Sequence, residues 1–270
     1  MVFLDKDVHI WITNDHSIKD ANLLDSYRQL LNAEEMHRQQ NFHFERHRHQ
    51  YLVARALVRT VLSLYVENVS ANDWIFEKNE YGKPFIVNKC PRTEKVIPIY
   101  FNLSHTENML VLAISKNQKI GVDVENISRS CDELDIANSF FSSIEIEQLY
   151  TLPLDKQHDR FFDLWTLKEA YIKACGKGLS IPLHLFSYVF KSDSRVHLEF
   201  TPGYDDQAEG WRYWRIQPND SYKIALALND RHYAGDYRLQ FKKIIPLISI
   251  EDITIPNTSY SNMGVKKGIF

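Results

Sequence analysis

The sequence predicts an α+β protein built from two similar halves. Three observations carry that expectation. Apolar residues recur at helical spacing over 50–66, and a second strong helical run covers 160–175 and stops at Gly176. Each run is followed by a Gly-containing turn and then by short β-branched and aromatic segments. This order occurs twice, and no short fixed period indicates a solenoid.

Taken in order, residues 8–13 (VHIWIT) read as a first strand and 21–40 as a polar helix. Leu52, Val53, Ala56, Leu57, Val61, Leu62 and Tyr65 form the apolar stripe of the next helix. Tyr81-Gly82-Lys83-Pro84 is a turn, because Gly permits unusual backbone angles and Pro fixes the following φ. Strands are expected over 101–103, 109–115 and 120–125, and the polar stretch 126–132 reads as the loop joining the halves. Helices are expected over 133–141, 143–151 and 160–175, with Gly176 as a C-cap and Gly178 loosening the turn behind it. Strands over 186–190, 196–200, 211–217 and 222–228 complete the second half. The expected division is 1–120, 121–230 and a tail, 231–270, with no assigned role.

The composition fits a folded protein: 270 residues, 44% hydrophobic and 25% charged. With 32 Lys+Arg against 35 Asp+Glu, the net charge of −3 argues against a surface built throughout for nucleic acid. Cys90, Cys131 and Cys175 are widely spaced with no CxxC pair, so neither a disulfide framework nor a zinc site is suggested. The first residues lack a basic flank and apolar run, and no stretch approaches the 18 or so apolar residues of a membrane span. A reducing, cytoplasmic setting without a membrane partner is expected.

Four segments carry chemistry. In Gly121-Val122-Asp123-Val124-Glu125, strand alternation aims Asp123 and Glu125 at one face. Two crowded carboxylates serve a hard cation such as Mg²⁺ or a base, unless they merely face solvent at a strand end. In Trp165-Thr166-Leu167-Lys168-Glu169-Ala170-Tyr171-Ile172-Lys173, Glu169 and Lys173 are neighbours on one helix face, alone no more than a surface ion pair, and Trp165 and Tyr171 read as core. Asn102-Leu103-Ser104-His105 suggests a polar strand end that binds phosphate; no G-x-S-x-G elbow supports a hydrolase. Residues 37–59 hold Arg38, Arg46, Arg48, Arg55 and Arg59 with His37, His43, His47 and His49, and from 46 to 66 there is no acid. That is either a solvated helix face or a phosphate dock.

In chain order, Tyr81-Gly82-Lys83-Pro84, Asn102-Leu103-Ser104-His105, Gly121-Val122-Asp123-Val124-Glu125 and the 165–173 segment with Gly176-Lys177-Gly178-Leu179 resemble the 4′-phosphopantetheinyl transferases of the surfactin-synthetase type, over roughly 33–228. The resemblance implies two α/β halves related by a pseudo-twofold, each a small antiparallel sheet packed with a long helix. It implies transfer of the phosphopantetheine arm of coenzyme A to a serine of an apo acyl or peptidyl carrier protein, with release of 3′,5′-adenosine bisphosphate. Asp123, Glu125 and Glu169 would hold Mg²⁺, and Glu169 would also be the candidate base. Lys173 would reach a phosphate oxygen, with Lys168 flanking the same site. Lys83, Ser104, His105 and Arg48 would bind coenzyme A, with His49 and Arg38 as alternatives to Arg48. Phe140 and Phe141 match an apolar stretch near which the family docks its carrier, although either also reads as core. One complete residue set implies one site per chain, in a monomer. A metal-dependent phosphohydrolase and a basic nucleic-acid-binding module are the competing readings. Fatty-acid, polyketide, nonribosomal-peptide and lysine-pathway carriers remain equal candidates as acceptor.

Overall fold

The computed structural model describes residues 6–90, 93–117, 119–128, 133–193, 195–232 and 235–262. Among them the α-helices are α1 (Ala21–Leu30), α2 (Ala33–Gln40), α3 (Glu45–Ser63), α4 (Glu133–Phe140), α5 (Ser143–Tyr150) and α6 (Leu154–Cys175). The strands are β1 (Asp7–Thr13), β2 (Phe76–Lys78), β3 (Pro84–Ile86), β4 (Tyr100–Thr106), β5 (Met109–Ser115), β6 (Ile120–Asn126), β7 (Phe186–Ser192), β8 (Arg195–Phe200), β9 (Trp211–Asn219), β10 (Tyr222–Asn229), β11 (Arg238–Ile245), β12 (Ser249–Ile253) and β13 (Thr258–Asn262). The chain is an α+β protein that forms two compact units.

Unit 1 comprises Met1–Glu77, Pro84–Lys116 and Tyr237–Thr254. Its five-stranded sheet has the order β12-β11-β1-β5-β4. Leu52, Val53, Ala56, Leu57, Val61 and Leu62 of α3 are buried with Trp11, Leu110, Leu112 and Ile114 of the sheet, as the apolar stripe requires. The polar run 21–40 is two helices rather than one. Asn32 caps α2: its Oδ1 accepts from the Glu35 backbone at 2.8 Å, while Glu35 Oε2 accepts from the Asn32 backbone at 3.1 Å. That reciprocal capping box starts a new helix where periodicity alone reads straight through.

Unit 2 comprises Lys78–Lys83, Asn117–Asp236 and Ile255–Phe270. Its four-stranded antiparallel sheet has the order β13-β9-β10-β6, accompanied by the β7–β8 hairpin. Helix α6 begins at Leu154 behind Pro153, earlier than expected, because Pro sets a helical start without needing its missing N–H. It ends as expected at Gly176, whose φ of 71° is the left-handed C-cap. Tyr171, Phe186, Tyr188, Trp211 and Tyr213 fill the core against α6.

Two features depart from the expected plan. First, the stretch beyond 230 holds strands: β11 and β12 extend the sheet of unit 1, and β13 joins β9 in unit 2. Second, the sheet of unit 1 is mixed, since β11 runs parallel to β1 from Asp7↔Arg238 onward. The guanidinium of Arg238 grips both Asp7 oxygens, at 2.9 and 3.0 Å, which fixes that register. Part of the expected connecting loop, 129–132 with Cys131, lies outside the described residues.

Candidate active site

The site in unit 2 is built where strand β6 lies on helix α6. Gly121, Asp123 and Glu125 alternate with Val122 and Val124, so their side-chain positions share the face turned to the helix. A Cβ on Gly121 would stand 2.1 Å from the Ala170 carbonyl oxygen and 2.3 Å from the Ala174 nitrogen. Only glycine permits this approach of strand and helix backbones. Two residues on, Asp123 Oδ1 accepts from Lys173 Nζ at 2.6 Å. Two further, Glu125 Oε1 accepts from the Trp165 indole at 3.3 Å. Descending β6 from 121 to 125 thus matches stepping back along α6 from Ala174 to Trp165.

The electrostatics mark this face as a concentrated negative site. Glu125 is pushed up to about 7 by burial and then by the charge of Asp123, with Glu169 adding to the effect and the Trp165 bond and Lys173 opposing it. Glu169 is likewise pushed up to about 7 by burial and by Asp123, with Lys173 opposing. Among the described residues, no three His, Cys, Asp or Glu side chains stand in a closed metal-holding arrangement. The donor set itself nevertheless suits a hard divalent cation: three carboxylates from two rigid elements, with Glu125 and Glu169 both raised to about 7 by burial first and by the charge of Asp123 second.

A polar network continues along α6 beyond the carboxylates. Lys223, in register with Glu125, donates to Asp163 at 2.6 Å, and Arg215 donates to Asp163 at 2.7 Å. These groups line a cavity of about 300 Å³ that none of the three site carboxylates lines, and they pair with one another there. Sequence reasoning missed this network; the i,i+4 pair Asp159 and Asp163 is its local signal. It also read Trp165 as core alone, whereas its indole N–H serves Glu125.

Several expected site residues are placed differently. Lys168 does not flank the carboxylates. It is fully buried, bonds Glu145 at 2.8 Å, and donates to the carbonyls of Leu183 and Phe186 at 2.7 Å each. Its position between Leu167 and Glu169 turns it about 100° from Glu169 around the helix. Lys83 donates to the carbonyls of Ile120 at 2.9 Å and Ala174 at 3.1 Å, and burial lowers its ammonium to about 8. In unit 1, Arg55 and Arg59 form neither a solvated face nor a phosphate dock, since both pair with Glu35. Arg48 donates to the carbonyls of Phe42 at 2.8 Å and His43 at 3.3 Å. His49 Nε2 donates to the Asp15 carbonyl at 2.8 Å, and Arg38 lies over the Tyr51 ring. Strand alternation in β4 buries Ser104 and exposes His105, so the two point to opposite faces. Phe141 is buried and stacked on Phe161, while Phe140 stays exposed beside Trp165.

A strand-borne Asp-x-Glu opposite a helix-borne Glu and Lys equips an α+β scaffold for chemistry on a phosphate-bearing substrate. Comparison with known proteins narrows that class. Residues 119–227 match the model of the 4′-phosphopantetheinyl transferase superfamily, and residues 20–117 match that of the 4′-phosphopantetheinyl transferase N-terminal region. The 4′-phosphopantetheinyl transferase HetI of Nostoc sp. is 28% identical over 229 residues, covering 84% of this chain and 90% of that protein. The 4′-phosphopantetheinyl transferase Sfp of Bacillus subtilis is 33% identical over 173 residues, 64% of this chain and 72% of that protein. The gsp enzyme of Aneurinibacillus migulanus is 40% identical over 135 residues, 50% of this chain and 52% of that protein. The chain belongs to the 4′-phosphopantetheinyl transferases.

Proposed function

We propose that this enzyme moves the 4′-phosphopantetheine arm of coenzyme A onto a serine of an apo carrier protein, with Mg²⁺, releasing 3′,5′-adenosine bisphosphate. The supporting observation is the convergence of Asp123, Glu125, Glu169 and Lys173 on the β6–α6 face. The serine oxygen forms a bond to the pantetheine-side phosphorus, and the P–O bond to the adenosine-side phosphate breaks. Glu169, raised close to neutrality, takes the serine proton; a base poised near the working pH is well matched to that task. Lys173 exchanges its Asp123 partner for a phosphate oxygen, so that one positive charge follows the developing negative charge. Asp123, Glu125 and Glu169 would hold Mg²⁺, which supplies charge neutralisation at the pyrophosphate.

Arg48, Ser104 and His105 are proposed as coenzyme A contacts, each open to single substitution with a calorimetric readout. Lys83 is not proposed as a coenzyme A contact, because its ammonium donates to the main-chain carbonyls of Ile120 and Ala174. Phe140 is the proposed apolar contact for the carrier. The enzyme is proposed to act as a monomer with one site per chain, which sedimentation and coenzyme A stoichiometry would test.

The direct test is mass spectrometry of candidate apo-carriers incubated with coenzyme A, Mg²⁺ and the enzyme. Asp123→Ala is expected to abolish transfer and keep the fold. Mg²⁺ should raise the melting temperature of the wild type and leave that of Asp123→Ala unchanged. Near wild-type turnover by folded Asp123→Ala overturns the proposal.

A further inference from the structure

Residues 78–83 cluster with unit 2, although the chain on either side of them belongs to unit 1. The reason lies in two side chains. Asn79 Nδ2 donates to the Gly176 carbonyl at 2.7 Å, and Lys83 Nζ donates to the carbonyls of Ala174 and Ile120. The turn that carries them is tied to itself. Asn79 Oδ1 accepts from the backbones of Tyr81 and Lys83, at 3.1 and 2.8 Å, and the backbone N–H of Asn79 donates to the Lys83 carbonyl at 3.0 Å. A Cβ on Gly176 would meet Lys83 Cδ at 2.9 Å and Asn79 Nδ2 at 3.2 Å, so the glycine C-cap also makes room for this turn.

The last carbonyls of a helix lack intrahelical partners, and positive charge is favoured there. Here the turn satisfies one of them, at Ala174, together with the carbonyl of the Gly176 cap, and joins them to Ile120, the residue before Gly121. Ala174 in turn follows Lys173. The bonded carbonyls therefore stand next to both backbone stretches whose approach brings Asp123 and Glu125 onto Glu169 and Lys173.

We infer that Lys83, assisted by Asn79, is a positioning residue that clasps the C-terminal end of α6 to the start of β6 and holds their register at the carboxylate site. This rests on the transferase reading of that site. Two of the three ammonium donors are committed to main-chain carbonyls, which is the arrangement of a brace and not of a phosphate contact.

The test uses Lys83→Met, which keeps the stem and removes the donors, on the full chain at a temperature where variant and wild type are both folded. The clasp predicts a coenzyme A dissociation constant within about 3-fold of wild type and kcat lower by about 10-fold or more. It also predicts amide exchange at least about 10-fold faster in segments 119–125 and 170–177. Coenzyme A affinity weakened about 10-fold, or exchange unchanged, overturns the inference. Should Lys83→Met not fold, Asn79→Asp removes the bond to Gly176 and keeps the acceptor, with the same signs expected and the same contrary results decisive. A wild type that transfers nothing to any carrier overturns the transferase reading, and hydrogen exchange then decides the clasp alone.

Discussion

In unit 1, helix α3 sends Arg59 to Glu35; in unit 2, helix α6 sends Lys168 to Glu145. The two carboxylates have the same local origin. Each is the third residue of a short helix and closes its capping box, with Asn32 in α2 and with Ser142 in α5. Each long helix then buries one cation against that carboxylate. The solutions differ in chemistry. Arg59 spreads its planar fork over Glu35 and the carbonyls of Ala71, Asn72 and Trp74, with Arg55 as a second cation on Glu35. Lys168 is a single point charge, and the other contacts of Glu145 are uncharged donors from Ser142 and Tyr188. Within about a turn and a half beyond its buried cation, α6 also presents Glu169 and Lys173 to β6. Helix α3 has no acid after Glu45. The comparison separates what builds a half from what makes it act: the buried pair recurs, and among the described residues the carboxylate face occurs once.

The largest expected effect breaks the strand–helix approach of unit 2. Gly121→Ala places a Cβ against backbone atoms of α6 that move only with the whole helix. It should abolish transfer and cost several kcal/mol, on the order of overpacking a tight core or more. A folded Gly121→Ala enzyme with wild-type turnover would show that the close approach is dispensable.

The next effect compares the two buried pairs. Lys168→Met leaves Glu145 without a cation and should cost about 3–5 kcal/mol in urea unfolding. Arg59→Met should cost less, because Arg55 still faces Glu35. Adding Glu145→Gln to Lys168→Met should recover much of the loss, since the uncompensated charge is gone. Equal costs for the two single variants would erase the distinction drawn between the halves.

A smaller effect belongs to unit 1 and depends on pH. His9 is buried, and burial first, then Lys242, lowers its imidazole to about 4. The unfolded chain takes up that proton near pH 6.5, while the folded chain refuses it until about pH 4. Stability conferred by a neutral His9 is therefore present above pH 6.5 and lost as pH falls through this window. The loss is on the order of 3 kcal/mol. His9→Gln should show a shallower slope of unfolding free energy between pH 7 and pH 4.5; parallel slopes would refute the assignment.

The smallest effect concerns the indole–carboxylate bond. Trp165→Phe keeps the stacking on Phe161 and removes the donor to Glu125. Turnover should fall by about 3- to 10-fold, the range of one lost hydrogen bond of about 1 kcal/mol. Unchanged turnover would leave Trp165 a packing residue only.

What the sequence determined by itself are the features that depend on local geometry. Period-two alternation put Gly121, Asp123 and Glu125 on one face, i,i+4 spacing put Glu169 beside Lys173, and Gly176 ended α6 in the left-handed conformation. Tertiary structure alone decided which distant group each side chain meets. The family resemblance assigns Lys83 and Lys168 to the phosphate site, yet they end on main-chain carbonyls at the foot of β6 and in the core. The arginines of α3 read as a basic stripe, yet a single glutamate of α2 draws two of them inward. Strand β11 carries no mark of its neighbour, and it pairs in parallel with β1 across most of the chain. Periodicity fixes the direction in which a side chain leaves the backbone. The partner it finds depends on desolvation and charge pairing between segments far apart in sequence, and no local pattern encodes those.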